Sequence, residues 1–300
     1  YMDQAEQLRN IIKANTIANQ PMGNTPKRSL ARIITVTSGK GGVGKSNTAI
    51  NLAIQFRKMG QKVIILDADF GLANIEIMFG AVPKHNLYDL IYQGKDIREI
   101  ITWGPMDVGF ISGGSGIAGM SNLSREYLVY IIKNLAELDA IADIIIVDTG
   151  AGISDAVLEF LVASGEILLV TTPEPTSITD SYSLVKALNR HPRFSNEYSK
   201  IKVIANKVES EEEGKQLYSK LSTVVNRYLK IPLDFLGAVP YDKQLSKAVM
   251  QQMPVSLQNP TASASVAYQK MAEILMNKEA EQAPKRGMAA FFSHIINGKK

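Results

Sequence analysis

Eight consecutive residues, Gly39-Lys40-Gly41-Gly42-Val43-Gly44-Lys45-Ser46, restrict what this chain can fold into more than any other stretch. They fit the G-x-x-x-x-G-K-[ST] pattern of a phosphate-binding loop, which works only between a strand and the helix that the strand feeds. Both neighbours are legible, because the apolar run 33–36 precedes the loop and a helical pattern opens at Lys45. Gly39, Gly41, Gly42 and Gly44 free the backbone to turn successive N–H groups onto phosphate oxygens. Lys45 then places charge between the β- and γ-phosphates and Ser46 offers its hydroxyl to Mg2+. The helix start, running on through Asn47, adds the positive end of its dipole.

Such a loop needs a sheet to hold it. Apolar runs at 33–36, 63–66, 108–111, 144–147, 167–170, 203–205 and 235–239 read as buried strands, and helical stretches at 45–57, 125–138, 154–163, 177–188, 211–228 and 261–276 separate most of them. Alternation of this kind predicts an α/β fold with a doubly wound, mostly parallel sheet and helices on both faces, its ligand site at the strands' C-terminal ends. One such domain is expected over 31–276, with a tail at 1–30 and a polar linker leading into a short amphipathic helix at 277–300. The sequence has no cysteine, which excludes a disulfide framework and cysteine-ligated zinc or iron–sulfur sites. No run is long and apolar enough to span a bilayer, and the N-terminal stretch is too polar for a secretory signal, so a cytoplasmic location is expected. A formal net charge of +4 is too mild to argue for nucleic acid.

Three acids follow strands. Asp67 and Asp69 close the run Ile64-Ile65-Leu66 at i and i+2, so they share one face while the backbone stays extended, a placement suited to handling a metal or a water. Asp148 ends Ile144-Ile145-Ile146-Val147, the Walker B form, from which a carboxylate holds Mg2+ through water. Gly150 and Gly152 behind it let the backbone approach a γ-phosphate and rearrange after hydrolysis.

Lys40 is surplus to a loop that Lys45 already serves, and a lysine there can point away from its own nucleotide. This second lysine resembles that of the deviant Walker A ATPases, the MinD/ParA family, where it reaches across a nucleotide-sandwich dimer to the partner's phosphates. The resemblance covers nearly the whole chain and implies ATP and Mg2+ as cofactors, ATP-dependent homodimerisation, and catalytic roles for Lys40, Lys45 and Asp69. Asp69 would orient the attacking water, and Asp67 would lie near the metal beside Ser46 and Asp148. Asn206 and the loop Pro240-Tyr241-Asp242, each after a strand, resemble the family's adenine-binding positions. An Asn amide can donate to and accept from an adenine edge, whereas Asn206-Lys207-Val208-Glu209 only approximates the guanine-reading Asn-Lys-x-Asp motif, so ATP is expected rather than GTP.

Both ends carry patterns of their own. Met288, Phe291, Phe292, Ile295 and Ile296 fall at i, i+3, i+4, i+7 and i+8, one apolar stripe flanked by Lys285, Arg286, Lys299 and Lys300. That pattern suits an anionic membrane surface, and it equally suits a protein groove, the chain's own included. The expectation taken forward is the membrane. One such helix binds only marginally, but two on a dimer gain about 10² to 10⁴ in avidity, so dimerisation would switch attachment to the inner face of the cell membrane. At the other end, Asp3-Gln4-Ala5-Glu6-Gln7-Leu8-Arg9 resembles the Asp-Gln-Ala-x-x-Leu-Arg element of the flagellar-number regulators, the FlhG and FleN branch of the family. Asp3, Gln4, Ala5, Leu8 and Arg9 would then contact a partner.

That branch implies regulation of flagellar number and placement. Its partners are the flagellar signal-recognition-particle-type GTPase FlhF, which the N-terminal element would stimulate, C-ring switch proteins and a flagellar transcription activator. No direct contact with nucleic acid is expected. The competing reading is a ParA-like partitioning ATPase that binds DNA non-specifically, in which the amphipathic tail has no role.

Overall fold

A computed structural model of the protein describes residues 30–69, 74–113, 125–277 and 287–297. Its centre is an eight-stranded sheet in the order β3-β4-β2-β5-β1-β6-β7-β8. The strands are β1 (Arg32–Thr37), β2 (Val63–Ala68), β3 (Thr102–Trp103), β4 (Gly109–Ser112), β5 (Ile144–Thr149), β6 (Glu166–Thr171), β7 (Lys200–Val208) and β8 (Leu233–Pro240). All pairings are parallel except β3 with β4. Each of the seven apolar runs read from the sequence lies in or overlaps one of these strands, while β3, two residues long, is too short to leave a pattern.

The runs are apolar throughout because both faces of the sheet are covered. Successive side chains alternate: on β5, Ile144 and Ile146 join one core cluster, and Ile145 and Val147 join the other. The first cluster lies beneath α1 (Lys45–Lys58) and a late helix, 263–277. The short α2 (Asn74–Phe79) comes next in the chain, and the second cluster lies beneath α3 (Leu87–Gln93) and α4 (Arg125–Ala136). A third cluster packs α5 (Asp155–Ala163), α6 (Pro175–Arg190) and α7 (Glu211–Leu229) on the β6–β7 side. The chain closes with α8 (Lys243–Met250), α9 (Val255–Gln258), α10 (Ser263–Asn277) and α11 (Gly287–Asn297). The sequence reading passes over α2, α3, α8 and α9, which are short; α3 is fixed by a capping box between Asn86 and Asp89 rather than by a long stripe.

In this structure α11 is docked on its own domain. Its stripe is folded into the second core cluster, with Met288, Phe291, Phe292 and Ile295 buried and Ile296 packed beside them. Phe291 stacks obliquely on Phe160 of α5 at 6.0 Å between centroids. The helix start is held by Asp139, whose carboxylate accepts the Met288 N–H at 3.0 Å. Near its other end, Arg193 donates to the His294 carbonyl and pairs with Glu159 of α5. Periodicity shows only that one face needs apolar cover, and here the protein's own core supplies it. The partner-binding residues Asp3, Gln4, Ala5, Leu8 and Arg9 lie outside the described residues.

Candidate nucleotide site

The C-terminal ends of β1, β2, β5, β6 and β7 converge on the phosphate loop, the crevice where open parallel sheets bind ligands. Gly42 and Gly44 sit at φ 76° and 98°, a left-handed backbone that only glycine takes without strain. Gly39 is small for a different reason: a Cβ there would stand 2.2 Å from the Asp180 carbonyl carbon, because α6 lies directly against the loop. Lys45 and Ser46, the first residues of α1, are buried beneath it, as is Val43. Gly41 stands clear of neighbours, and Asn47 gives its carbonyl to the Asn51 amide one turn on.

Below the loop the carboxylates gather. Asp67 and Asp148 are register partners on the adjacent strands β2 and β5, and both are buried. Burial pushes the Asp67 carboxyl up to about 7, and the neighbouring Asp148 charge adds to it. The backbone N–H of Asp69, donating to Asp67 Oδ1 at 3.1 Å, pulls the other way. Burial likewise raises Asp148 to about 6 against the opposing pull of Lys45 and the Ser46 hydroxyl. Neither Asp148 oxygen meets the geometry of a hydrogen bond, a costly state for a buried carboxylate. Asp69 lies half-buried at the mouth, and Asn74 donates weakly to it at 3.5 Å. A Cβ on Gly150 would come within 3.7 Å of Asp69 Oδ1, so the loop after β5 and the acid after β2 face each other.

An orphaned carboxylate beside a serine hydroxyl and a second acid is a donor set for a hard cation. Among the described residues no three acidic or histidine side chains converge to hold a metal alone. Mg2+ keeps waters and phosphate oxygens around one or two protein ligands. Ser46 and Asp148, with Asp67 behind, would hold it, and the ion would neutralise charge on the β- and γ-phosphates.

Lys40 turns outward. Its ammonium donates to Glu174 at 2.6 Å and to the Thr176 hydroxyl at 3.0 Å, on the segment that opens α6, away from its own loop. The Lys40 hydrogen bond and charge hold the Glu174 carboxyl below its ordinary value. The loop is also tied to the segment behind Asp148, because Gly152 N–H donates to the Ser38 carbonyl at 3.0 Å.

Two of the residues expected at the base make contacts within the protein. Asn206 is buried under the phosphate loop. Its Nδ2 donates to the Val43 carbonyl at 2.7 Å, and its Oδ1 accepts the Lys207 N–H at 2.9 Å. The amide braces the cradle, and this is also why residue 44 has no side chain, since a Cβ there would stand 2.3 Å from Asn206 Nδ2. Asp242 is likewise engaged as a cap, accepting from Gln244 N–H at 2.8 Å and Ala264 N–H at 3.0 Å and so joining α8 to α10. Pro240 ends β8, and Tyr241 is exposed beside it. Sequence reasoning missed Lys207, whose ammonium donates to the Gly42 carbonyl at 2.8 Å, and Glu174. Only the neighbouring place of β6 and β7 in the sheet reveals them.

A family model described as the CobQ/CobB/MinD/ParA nucleotide binding domain matches residues 34–255, the strands and loops of this site. The chain belongs to that family. It is 38% identical over 265 residues to the antiactivator FleN of Pseudomonas aeruginosa, covering 88% of this chain and 93% of FleN. It is 32% identical over 299 residues to the flagellum site-determining protein YlxH of Helicobacter pylori, covering 98% of each. These relatives place it in the flagellar-number regulator branch. Among solved structures, MinD from Pyrococcus horikoshii with Mg-ADP superimposes with a TM-score of 0.63 at 22% identity, covering 83% of this chain and 97% of that one, which supports the fold. This member of the MinD/ParA family is a nucleotide-binding ATPase that regulates flagella.

Proposed function

We propose that the chain is a two-state switch in which ATP, bound with Mg2+ on the phosphate loop, closes two copies face to face and hydrolysis opens them. The observation that carries this reading is Lys40, which leaves its own cradle to Lys45 and is held at the surface by Glu174 and Thr176. Exchange of those contacts for a partner's phosphates would link dimerisation to ATP. Within each half, Lys45 and the loop N–H groups bind and orient the phosphates, Asp69 positions the attacking water, and Asn206 with Lys207 keeps the cradle rigid. Tyr241 and Pro240 flank the base.

The dimer would act at the inner face of the cell membrane. No helix among the described residues is long and apolar enough to cross a bilayer, so attachment would require α11 to leave its groove. Paired helices released together gain avidity that one lacks. Its targets would be the FlhF-type GTPase, stimulated by residues Asp3 to Arg9, the flagellar C-ring proteins and a flagellar transcription activator. The relatives, an antiactivator and a flagellum site-determining protein, support this direction.

Sedimentation mass with a non-hydrolysable ATP analogue and Mg2+ tests the switch. The native chain should double in mass, and Lys40→Ala should bind nucleotide yet stay monomeric. Equal loss of nucleotide affinity in Lys40→Ala and Lys45→Ala would refute the cross-dimer role. A peptide of residues Met2 to Gln20 should accelerate GTP hydrolysis by the flagellar GTPase, and Gln4→Ala should greatly reduce that effect. Full stimulation by a chain lacking those residues would refute the trans role.

A further inference from the structure

The far edge of the sheet is open. β8 pairs only with β7, and its outward backbone groups have no partner strand among the described residues. The opposite edge is the two-residue β3, too short to template anything. On β8 the two flanking helices stay on the faces. α7 lies so close that a Cβ on Gly214 would stand 2.6 Å from Ala238 Cβ, and α10 so close that a Cβ on Gly237 would stand 2.8 Å from Met271 Cγ. Clamped above and below but free at its side, the strand forms the floor of a groove of about 430 Å³. Apolar side chains line it, including Phe235 and Ala238 on the strand. Val266 and Ile274 on α10 are 38% and 47% exposed.

We propose that this groove takes an extended segment of another protein as a ninth strand, with small or β-branched side chains at alternate positions and a carboxylate between them. Main-chain hydrogen bonds to β8 would supply affinity and the apolar walls would select alternate residues. Charge selects the occupant. Lys270 on the α10 wall and Lys215 on the α7 wall share one lining carboxylate, Glu211, which Lys215 pairs with at 3.0 Å and whose charge Lys270 also feels. Among the side chains that line the groove two lysines stand against one glutamate, which favours an acidic strand. A second copy laid edge to edge would set two such linings against each other. Pro240 and the register irregularity between Val203 and Ile204 limit the open ladder to one short strand. This inference does not depend on the switch proposed above.

The test uses the full chain and two labelled nonapeptides of alternating Val and Thr, one carrying a central Glu and one a central Lys. With the Glu probe, hydrogen exchange in residues 233–240 should slow, and polarisation should report binding that falls about tenfold with Lys270→Glu or Val266→Arg. N-methylation of alternate probe amides should abolish it, and the Lys probe should prefer the Lys270→Glu chain. Nucleotide binding by both variants should match the native chain, separating failure here from failure of the phosphate site. Unchanged exchange at 233–240 with the Glu probe at about 1 mM overturns the proposal. Equal binding of the two probes overturns its charge selection. Protection that rises with protein concentration and needs no probe assigns the edge to a second copy and overturns it as well.

Discussion

Replacing Asp148 by Asn should make the nucleotide-free protein more stable at neutral pH, although it removes a proposed Mg2+ ligand. Asp148 is buried, Lys45 and the Ser46 hydroxyl only partly offset that burial, and its carboxyl is raised from 3.8 to about 6. Because the folded value lies above the unfolded one, the folded chain holds the extra proton between those limits, and stability falls as pH rises through that window. A rise of that size corresponds to about 3 kcal/mol once both states are ionised, net of the attraction from Lys45. Coupling to Asp67, itself raised to about 7 in part by Asp148, carries the window toward neutrality. Urea unfolding without nucleotide at about pH 7.5 should show Asp148→Asn more stable by about 2–3 kcal/mol, and by almost nothing near pH 4. With ATP and Mg2+ the order should reverse, since the native carboxylate gains a cation and the amide does not. A variant less stable than the native chain at the higher pH, or a gain that does not change with pH, would refute the reasoning.

Asp69→Ala should slow hydrolysis by about 10² or more while the ATP-bound dimer accumulates, read by phosphate release and sizing; a variant that stays monomeric with ATP would remove Asp69 from the water-positioning role. Asn206→Ala should weaken ATP and GTP by the same factor, because the amide supports the loop rather than the base; calorimetry that finds ATP alone weakened would restore it as a base reader. Phe292→Ala opens a cavity in the second core and should cost about 3 kcal/mol or more, lowering the thermal midpoint by about 6 °C or more; an unchanged midpoint would mean that α11 adds nothing to the fold.

The sheet was legible because strands buried on both faces leave unbroken apolar runs, and the loop because its glycines have no other arrangement that presents N–H groups inward. Asp67 and Asp148 could each be named from a strand end, yet their adjacency follows only from β2 and β5 being neighbours, which strand order decides. Asn206 could be named as a site residue from its place after β7, yet a sequence cannot tell that its amide donates to the Val43 carbonyl, which depends on β7 lying beside the phosphate loop. The apolar face of α11 was plain in its spacing. What covers that face depends on a groove built by α4 and α5, far away in the chain.

Flotation with anionic liposomes tests the central claim most directly, comparing ADP with a non-hydrolysable ATP analogue, each with Mg2+. The account predicts that the protein stays at the bottom with ADP, where α11 is docked, and rises with the ATP analogue, while Lys40→Ala stays down in both. Flotation that is equal in the two nucleotides, or retention by DNA in place of lipid, would contradict it.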